Sequence, residues 1–180
     1  MIIFDLDGTL ADCQHRMHFV DSRNLCKWIH SEAGEYYTQG LHGKKTNWKP
    51  DWKAFYEACD QDKPVKPVLD AFIHLTQGEP FNQDIQIWSG RCESVREKTL
   101  KWLVNLTGYC EDYEYWNRRL KMRPINDYTP DDQLKEKWLD AAIAEGKRIE
   151  FVFDDRPKVV RMWRRRGIFV FNCCQHDEEF

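Results

Sequence analysis

The first ten residues constrain the fold and the chemistry of this chain more than any other stretch. Ile2-Ile3-Phe4 is a short apolar run typical of a strand buried on both faces of a sheet, and it leads directly into Asp5-Leu6-Asp7-Gly8-Thr9. Two carboxylates this close at the end of a strand repel one another and lose hydration unless a cation lies between them. The alternative is a plain Asp-Gly turn after a strand. The stretch alone leaves both interpretations open.

The size and composition of the chain fit one domain, or one domain that carries a sizeable insertion. Its 180 residues are 42% hydrophobic, which is enough to fill a core. The net charge of −3 gives no global attraction for nucleic acids, so such a partner would require a local basic patch. Seven cysteines without a CxxC pair, and no signal peptide before Asp5, predict free thiols in a reducing cytoplasm. No apolar run approaches the roughly 20 residues of a membrane span, so we expect no membrane partner.

Residues 12–66 differ in pattern from the rest and predict a mostly helical cap, inserted between the two parts of a core made of residues 1–11 and 67–180. One part of this cap is rich in lysine and tryptophan, which suits phosphates and stacked bases, although a solvated loop over packed aromatics explains it equally well. The candidate substrate-binding residues there are Lys44, Lys45, Trp48, Lys49 and Trp52. A zinc cluster can also be drawn, although its spacing matches no established zinc motif, from Cys13, His15, His18, Cys26 and His30.

Beyond residue 66, strand and helix patterns alternate, as they do in a parallel sheet with helices on both faces. We predict strands at residues 84–88, 113–116, 149–153 and 168–171. Amphipathic helices are predicted over residues 68–75 and 94–106 and after Pro157. A further helix is predicted to begin with Thr129 as its N-cap and Pro130 at its first position.

Polar residues follow several of these strands at their carboxyl ends. Ser89-Gly90-Arg91 forms a good receiver for an oxyanion, because a hydroxyl donates one hydrogen bond and a guanidinium a pair. Asp154-Asp155 repeats the paired acids of the first strand. The carboxyl ends of parallel strands gather at one edge, so these groups and Asp5-x-Asp7 should face one crevice. Lys135, near the first turn of a helix, would either help hold an anion or lie exposed.

Taken together, these segments resemble the haloacid dehalogenase (HAD) superfamily of phosphotransferases. The four motifs of that superfamily match, in order, Asp5-Leu6-Asp7-Gly8-Thr9, Ser89, Lys135 and Asp154-Asp155. The chain is similar, more narrowly, to the 3′-phosphatase domain of the phage-type polynucleotide kinase/phosphatase family. That similarity lies in Ser89-Gly90-Arg91, Met122-Arg123, residues 131–136 and Asp154-Asp155-Arg156. The resemblance implies an α/β three-layer sandwich with a central parallel sheet of the HAD/Rossmann-like kind, and a helical cap after the first strand.

The resemblance also implies a Mg²⁺-dependent phosphomonoesterase that acts through an aspartyl-phosphate. Asp5 would be the nucleophile, and Asp7 the general acid/base with a pKa above that of Asp5. The implied metal ligands are Asp5, Asp7 through its backbone carbonyl, Asp154 and Asp155. Asp155 would either bind the metal through water or orient Lys135. The implied phosphate-binding residues are Thr9, Ser89, Gly90, Arg91 and Lys135.

The substrate is open between two classes. The leading hypothesis is a 3′-phosphorylated polynucleotide end, and its rival is a mononucleotide or another small phosphate ester. A DxD-type glycosyltransferase would leave Ser89, Lys135 and Asp154 unexplained, and a non-catalytic binding module would not need the complete set of acids. We expect a cytoplasmic protein, in the host cytoplasm if it is phage-encoded. The oligomeric state does not follow from the sequence.

Overall fold

The computed structural model of the protein describes residues 1–21, 49–77, 84–107 and 113–174. The strands are β1 (Ile2–Phe4), β2 (Ala11–Asp12), β3 (Lys63–Pro64), β4 (Ile85–Cys92), β5 (Leu120–Arg123), β6 (Phe151–Asp154) and β7 (Phe169–Asn172). Five of them form a parallel sheet in the order β5-β4-β1-β6-β7, while β2 and β3 form a small antiparallel pair.

Helices connect the strands of the large sheet. The α-helices are α1 (Trp52–Glu57), α2 (Lys66–Gln77), α3 (Arg96–Thr107), α4 (Tyr113–Arg119), α5 (Asp131–Ala144) and α6 (Pro157–Arg165). Short 3₁₀ helices span Gln14–Phe19, Cys59–Gln61 and Glu93–Val95. Across the ranges that the structure describes, no helix combines the length and the apolar character needed to cross a bilayer.

β1 lies at the centre of the sheet and is buried on both faces. Ile2 is in register with Ile85 of β4 on one side and with Phe151 of β6 on the other. The side chains of Ile2 and Phe4 join one hydrophobic cluster, and that of Ile3 joins the other. Because neither face of β1 meets water, its sequence is a continuous apolar run instead of an alternating one.

The two clusters correspond to two layers of helices. On one face of the sheet, α2, α3 and α4 contribute buried residues such as Phe72, Leu103 and Trp116. On the other face, α5 and α6 contribute residues such as Trp138 and Trp163. The predicted α/β three-layer sandwich with a central parallel sheet is therefore confirmed.

The prediction of a strand at residues 113–116 is wrong. These residues begin α4, and the strand follows as β5, in which Leu120 and Met122 are buried. Tyr113 and Trp116 lie three residues apart and therefore share a face of the helix. Trp116 packs into the core from this face, and the guanidinium of Arg119 lies 3.8 Å above the ring of Tyr115.

The prediction of Thr129 as a helix cap is also wrong. α5 begins at Asp131 with Pro130 at the N-cap, and no side chain caps it. The backbone of Thr129 is held elsewhere: its N–H donates to Asp127 Oδ1 at 2.7 Å, and its carbonyl accepts from Arg123 Nη1 at 2.6 Å. A turn fixed by Arg123 therefore precedes the helix where the sequence suggested a hydroxyl cap.

The described part of the predicted cap begins and ends at the β2–β3 pair, where Ala11 lies opposite Pro64. Between these strands the described residues form two of the 3₁₀ helices and α1. Residues 22–48 lie outside the described part of the chain. The division into a core of 1–11 and 67–180 and a cap of 12–66 stays a prediction.

Candidate active site

A pocket opens at the edge of the sheet where β1, β4 and β6 end. Three of the predicted motifs and Lys135 contribute to it, as expected for a parallel sheet. Its charged residues and glycines are Asp5, Asp7, Gly8, Asp12, Gly90, Asp131, Lys135, Asp155 and Arg156. The other residues that line it are Cys13, Gln14, Met17, Val20, Trp52, Phe55, Tyr56, Val65 and Cys174.

Three carboxylates converge at the base of this edge and form what we call the acid cluster: Asp5, Asp154 and Asp155. One oxygen from each lies within 4.8 Å of the others. Lys135 Nζ donates to Asp5 Oδ1 at 2.6 Å and to Asp154 Oδ2 at 2.8 Å. The indole of Trp163 also donates to Asp154 Oδ2, at 3.1 Å, and Thr9 Oγ1 donates to Asp155 Oδ1 at 3.3 Å.

One ammonium does not balance the charge of the acid cluster. Burial raises the pKa of Asp5 well above its usual range, with repulsion from Asp154 and Asp155 adding to burial and attraction from Lys135 opposing it. Burial, together with repulsion from Asp154, raises the pKa of Asp155 to about 7. Burial would lower the pKa of Lys135, but attraction from Asp154 and Asp5 outweighs it and raises that pKa.

The acid cluster fits a magnesium ion. Mg²⁺ prefers hard oxygen ligands and is commonly held by one or two carboxylates together with substrate phosphate. Asp5, Asp154 and Asp155 supply such oxygens within reach of one another, and a bound cation would relieve the repulsion that raises their pKa values. The backbone carbonyl of Asp7 stays a predicted ligand.

Gly8 permits the close approach of two strand ends in this site. Its φ of +86° lies in the left-handed region, which residues with a Cβ rarely adopt. A Cβ on Gly8 would also lie 1.9 Å from Asp155 Oδ2. Both the backbone turn and the position of Asp155 therefore require glycine here.

The carboxylate of Asp7 belongs to a separate set of charges, the buried arginine network, formed by Asp7, Arg16, Asp62 and Arg91. Asp7 Oδ1 accepts from Arg16 Nη2 at 2.5 Å and from Nε and Nη2 of Arg91 at 2.8 and 2.5 Å. Asp62 is buried and binds the same two guanidiniums. Its Oδ2 accepts from Arg16 Nη2 at 2.7 Å and from Arg91 Nη2 at 2.5 Å. The network thus fixes the position of Asp7 from the interior side.

Arg91 was expected to bind phosphate. In this structure its guanidinium instead contacts the carboxylates of Asp7 and Asp62. Its side chain is fully buried, does not line the pocket, and is engaged by Asp7, Asp62 and, at 3.4 Å, Thr99. Arg16 and Asp62 were missed at the sequence level. A single arginine and a single aspartate in a cap form no motif, and only the tertiary fold pairs them.

The order of the two pKa values expected for Asp5 and Asp7 is reversed. Burial alone would raise the pKa of Asp7, but the guanidiniums of Arg91 and Arg16 outweigh burial and lower it. Asp5 has only Lys135 as a cationic partner and two carboxylates beside it, so its pKa is raised. Asp7 is therefore the more readily ionised of the two in this structure.

Two of the predicted phosphate ligands are fully buried. Ser89 Oγ accepts from the backbone N–H of Arg91 at 3.1 Å, and Thr9 donates to Asp155. Neither residue lines the pocket, whereas Gly90 and Lys135 do. The structure therefore brings Gly90 and Lys135 to the pocket surface, and Ser89 and Thr9 lie behind it. Their roles toward phosphate stay predictions.

A second charged group at the pocket was also missed by the sequence analysis. Asp131, one turn before Lys135 on α5, forms ion pairs with Arg123 through Oδ1 and with Arg156 through Oδ2. A Cβ on Gly90 would lie 2.7 Å from Asp131 Oδ1, so glycine is needed for this approach as well. The i, i+4 spacing of Asp131 and Lys135 was the available signal, because it places both on one helix face.

The aromatic residues that line the pocket come from α1. Trp52, Phe55 and Tyr56 form an aromatic wall there, in which the ring centroids of Trp52 and Tyr56 are 6.0 Å apart. Trp52 is 45% exposed, so much of its surface faces solvent. Lys49 is exposed and does not line the pocket. The other substrate-binding candidates, Lys44, Lys45 and Trp48, lie outside the described residues.

The zinc hypothesis gains no support from the described residues. His15 Nε2 is 2.9 Å from Asp62 Oδ1, and the only group suited to a metal found among the described residues is the acid cluster. Cys26 and His30 lie outside the described ranges. The described cysteines carry no disulfide, as the sequence predicted: Cys13, Cys59, Cys92, Cys173 and Cys174.

Comparison with known proteins agrees with this geometry. Residues 51–178 match the family model described as "Polynucleotide kinase PNKP phosphatase domain". A protein of Autographa californica nuclear polyhedrosis virus, described as a bifunctional polynucleotide kinase/RNA ligase, is 35% identical over 135 residues. That alignment covers 73% of this chain and 18% of the viral protein, so the chain spans less than a fifth of this relative.

Solved structures share the fold over nearly the whole chain. A chain in the structure of the Pnkp1/Rnl/Hen1 RNA repair complex superposes with a TM-score of 0.62 at 24% identity, over 98% of this chain and 43% of that one. A second structure of the Pnkp1/Rnl/Hen1 complex gives a TM-score of 0.59 at 24% identity, over 98% and 46%. The match to the family model covers more than half of the chain, and the chain therefore belongs to the PNKP phosphatase domain family of HAD-type phosphatases.

Proposed function

We propose that this protein is a Mg²⁺-dependent phosphomonoesterase that removes the 3′-phosphate from polynucleotide ends through an aspartyl-phosphate on Asp5. One observation carries the proposal: the carboxylate of Asp5 lines an open pocket and is held 2.6 Å from the ammonium of Lys135, within the acid cluster. A nucleophile, a cation for phosphoryl oxygens and ligands for a metal ion thus meet at one point.

Asp5 would attack phosphorus, forming an Asp5–phosphorus bond as the bond to the ester oxygen breaks. Lys135 would neutralise charge on the phosphoryl oxygens during this step. A water molecule would then attack the aspartyl-phosphate, which releases inorganic phosphate and regenerates Asp5. A divalent cation held by Asp5, Asp154 and Asp155 would supply further charge neutralisation at the phosphoryl group when bound.

Asp7 would serve both steps as acid and base. All three guanidinium hydrogen bonds go to its Oδ1, so Oδ2 is the oxygen at which it would hold and transfer the proton. The lowered pKa of Asp7 suits the second step, in which an ionised carboxylate takes a proton from water. For the first step, the negative charge of the arriving phosphate would raise the proton affinity of Asp7.

Family membership and the aromatic wall support a polynucleotide end as the substrate. The viral relative is described as a polynucleotide kinase/RNA ligase, and the structural neighbours belong to an RNA repair complex. Trp52 presents an exposed indole at the pocket, and nucleobases stack readily on such rings. The free cysteines support a reducing cytoplasm as the place of action.

The test is release of phosphate from a 3′-phosphorylated oligonucleotide and from 3′-mononucleotides, each with Mg²⁺ or with a chelator. We expect Mg²⁺-dependent release that favours the oligonucleotide and that Asp5→Asn abolishes, while brief quenching in acid traps labelled phosphate on the wild-type protein. A strong preference for mononucleotides would refute the polynucleotide assignment. Full activity of Asp5→Asn would refute the covalent mechanism.

A further inference from the structure

Asp154 is the most deeply buried member of the acid cluster, and α6 holds both of its carboxylate oxygens. At the N-cap of this helix, the backbone N–H of Arg156 donates to Asp154 Oδ1 at 3.2 Å. About two turns farther along, the indole Nε1 of Trp163 donates to Asp154 Oδ2 at 3.1 Å. One helix therefore contacts the carboxylate at two points, one at each oxygen.

The two oxygens of Asp154 differ in the number of donors that they meet. Oδ2 accepts from Trp163 and also from Lys135 Nζ, at 2.8 Å. Across the ranges that the structure describes, Oδ1 accepts from Arg156 alone. A carboxylate oxygen has about two lone-pair sites, so those of Oδ2 are occupied and one on Oδ1 stays open. Oδ1 is therefore the oxygen that Asp154 can offer to a cation.

Packing fixes the indole of Trp163 in place. Trp163 is fully buried, and its ring lies 6.0 Å from that of Trp88, which in turn makes a T-shaped contact with Trp138 at 5.9 Å. A donor held in such a core cannot follow a carboxylate that rotates, whereas the ammonium of Lys135 lies at the end of a flexible chain. Lys135 is also the proposed partner of the phosphoryl oxygens. Trp163 is thus the donor to Oδ2 that does not depend on the substrate.

We propose that Trp163 is a positioning residue that turns Oδ1 of Asp154 toward the divalent cation. The inference rests on the metal site of the proposed function. Trp163 does not line the pocket, so it acts through Asp154. The terminal torsion of an aspartate side chain is broad, and a buried donor restricts it. Mg²⁺ demands nearly ideal octahedral geometry, whereas Ca²⁺ accepts flexible arrangements, so a misoriented Asp154 should cost more affinity for Mg²⁺ than for Ca²⁺.

Two changes at position 163 remove the donor. Trp163→Phe removes the N–H together with part of the ring, whereas incorporation of benzothienylalanine replaces the N–H with sulfur and keeps the two-ring shape. Titration calorimetry on the substrate-free protein should show a Mg²⁺ affinity about tenfold to one hundredfold lower in both variants. The Ca²⁺ affinity should fall by a smaller factor, so the ratio of the two affinities should change.

Trp116→Phe is the matched control. Trp116 is 3% exposed and packs in the cluster on the opposite face of the sheet, and its indole N–H has no hydrogen-bond partner among the described residues. The change removes the same atoms from a core without removing a hydrogen bond. It should therefore leave the Mg²⁺ affinity, and the ratio of the Mg²⁺ and Ca²⁺ affinities, as they are in the wild-type protein.

Wild-type Mg²⁺ affinity in the benzothienylalanine variant would overturn the inference alone, whatever Trp163→Phe shows, because any loss in Trp163→Phe would then come from packing. Equal losses of Mg²⁺ and Ca²⁺ affinity would also overturn it, since Trp163 would then support the acid cluster without orienting Asp154. A wild-type protein that binds no Mg²⁺ would instead refute the metal dependence of the proposed function, and this inference with it.

Discussion

Replacing Gly8 with alanine should weaken magnesium binding more than it weakens the fold. The substitution adds one methyl group to the turn that follows β1 and Asp5, next to Asp155. Its Cβ would lie 1.9 Å from Asp155 Oδ2, whereas ordinary van der Waals contact begins at 3.4 Å. Asp155 would therefore have to move by about 1.5 Å, whereas metal–ligand distances in a well-formed site stay within about 0.2 Å of their usual values.

The backbone contribution to this effect can be measured separately. Gly146 has a φ of +78°, close to that of Gly8, and a Cβ there would meet nothing within 4 Å. Gly146→Ala should therefore carry only the left-handed backbone cost, about 1–2 kcal/mol in the free energy of unfolding. Gly8→Ala should carry that cost and, in addition, a loss of Mg²⁺ affinity of about tenfold to one hundredfold.

Urea unfolding of the metal-free variants would measure the first quantity, and titration calorimetry with Mg²⁺ the second. Catalytic activity is not needed for either readout. Gly146→Ala should bind Mg²⁺ with the affinity of the wild-type protein. If Gly8→Ala does so as well, then Asp155 does not contribute to the metal site in the way inferred from its position.

Three further predictions concern single side chains. Asp7→Asn should lower turnover by about 10²- to 10⁴-fold, while calorimetry finds Mg²⁺ affinity nearly unchanged because the predicted ligand there is a carbonyl; lost affinity would contradict this role. Without Mg²⁺, the free energy of unfolding should fall by up to about 4 kcal/mol as pH rises from about 4 to about 7, because folded Asp155 keeps its proton to about 7 and the unfolded chain releases it near 3.8. Asp155→Asn should reduce that slope in urea titrations, leaving the part that comes from the raised pKa of Asp5, and an unaltered slope would exclude Asp155 as a source. Trp52→Ala should raise KM for a 3′-phosphorylated oligonucleotide about 5- to 150-fold, and an unchanged KM would argue against base stacking there.

The central features of the fold and the site followed from local sequence. β1 could be predicted because a strand buried on both faces must be apolar throughout, and Asp5, Lys135 and Asp154 could be placed because strand ends and helix starts gather ligands. The strand predicted at residues 113–116 was wrong because Tyr113 and Trp116 lie three residues apart and share a helix face, and the neighbouring helix α3 packs against this helix.

The parts that could not be predicted depend on contacts between distant segments. Arg16 reaches Asp62 across 46 residues and fixes Asp7, yet no spacing or motif in the sequence signals that pairing. The reversed pKa values of Asp5 and Asp7 have the same origin, since they follow from which cation the tertiary fold puts beside each acid. Motifs thus pointed to the candidate reacting groups, and the tertiary fold sets which cations shift their pKa values.

The central position of β1 has a consequence for the synthesis of this protein. β1 precedes its neighbours β4 and β6 by about 80 and 150 residues, and Asp5 meets Lys135 only across 130 residues of chain. On the ribosome, this apolar strand stays unpaired until β4 and β6 have been synthesised, when almost the whole domain has emerged. This order favours a late and cooperative folding step. A nascent or truncated chain contains Asp5 but cannot assemble the groups around it. Phosphatase activity would therefore switch on only when the domain is complete, and it would serve as a sensitive reporter of finished folding.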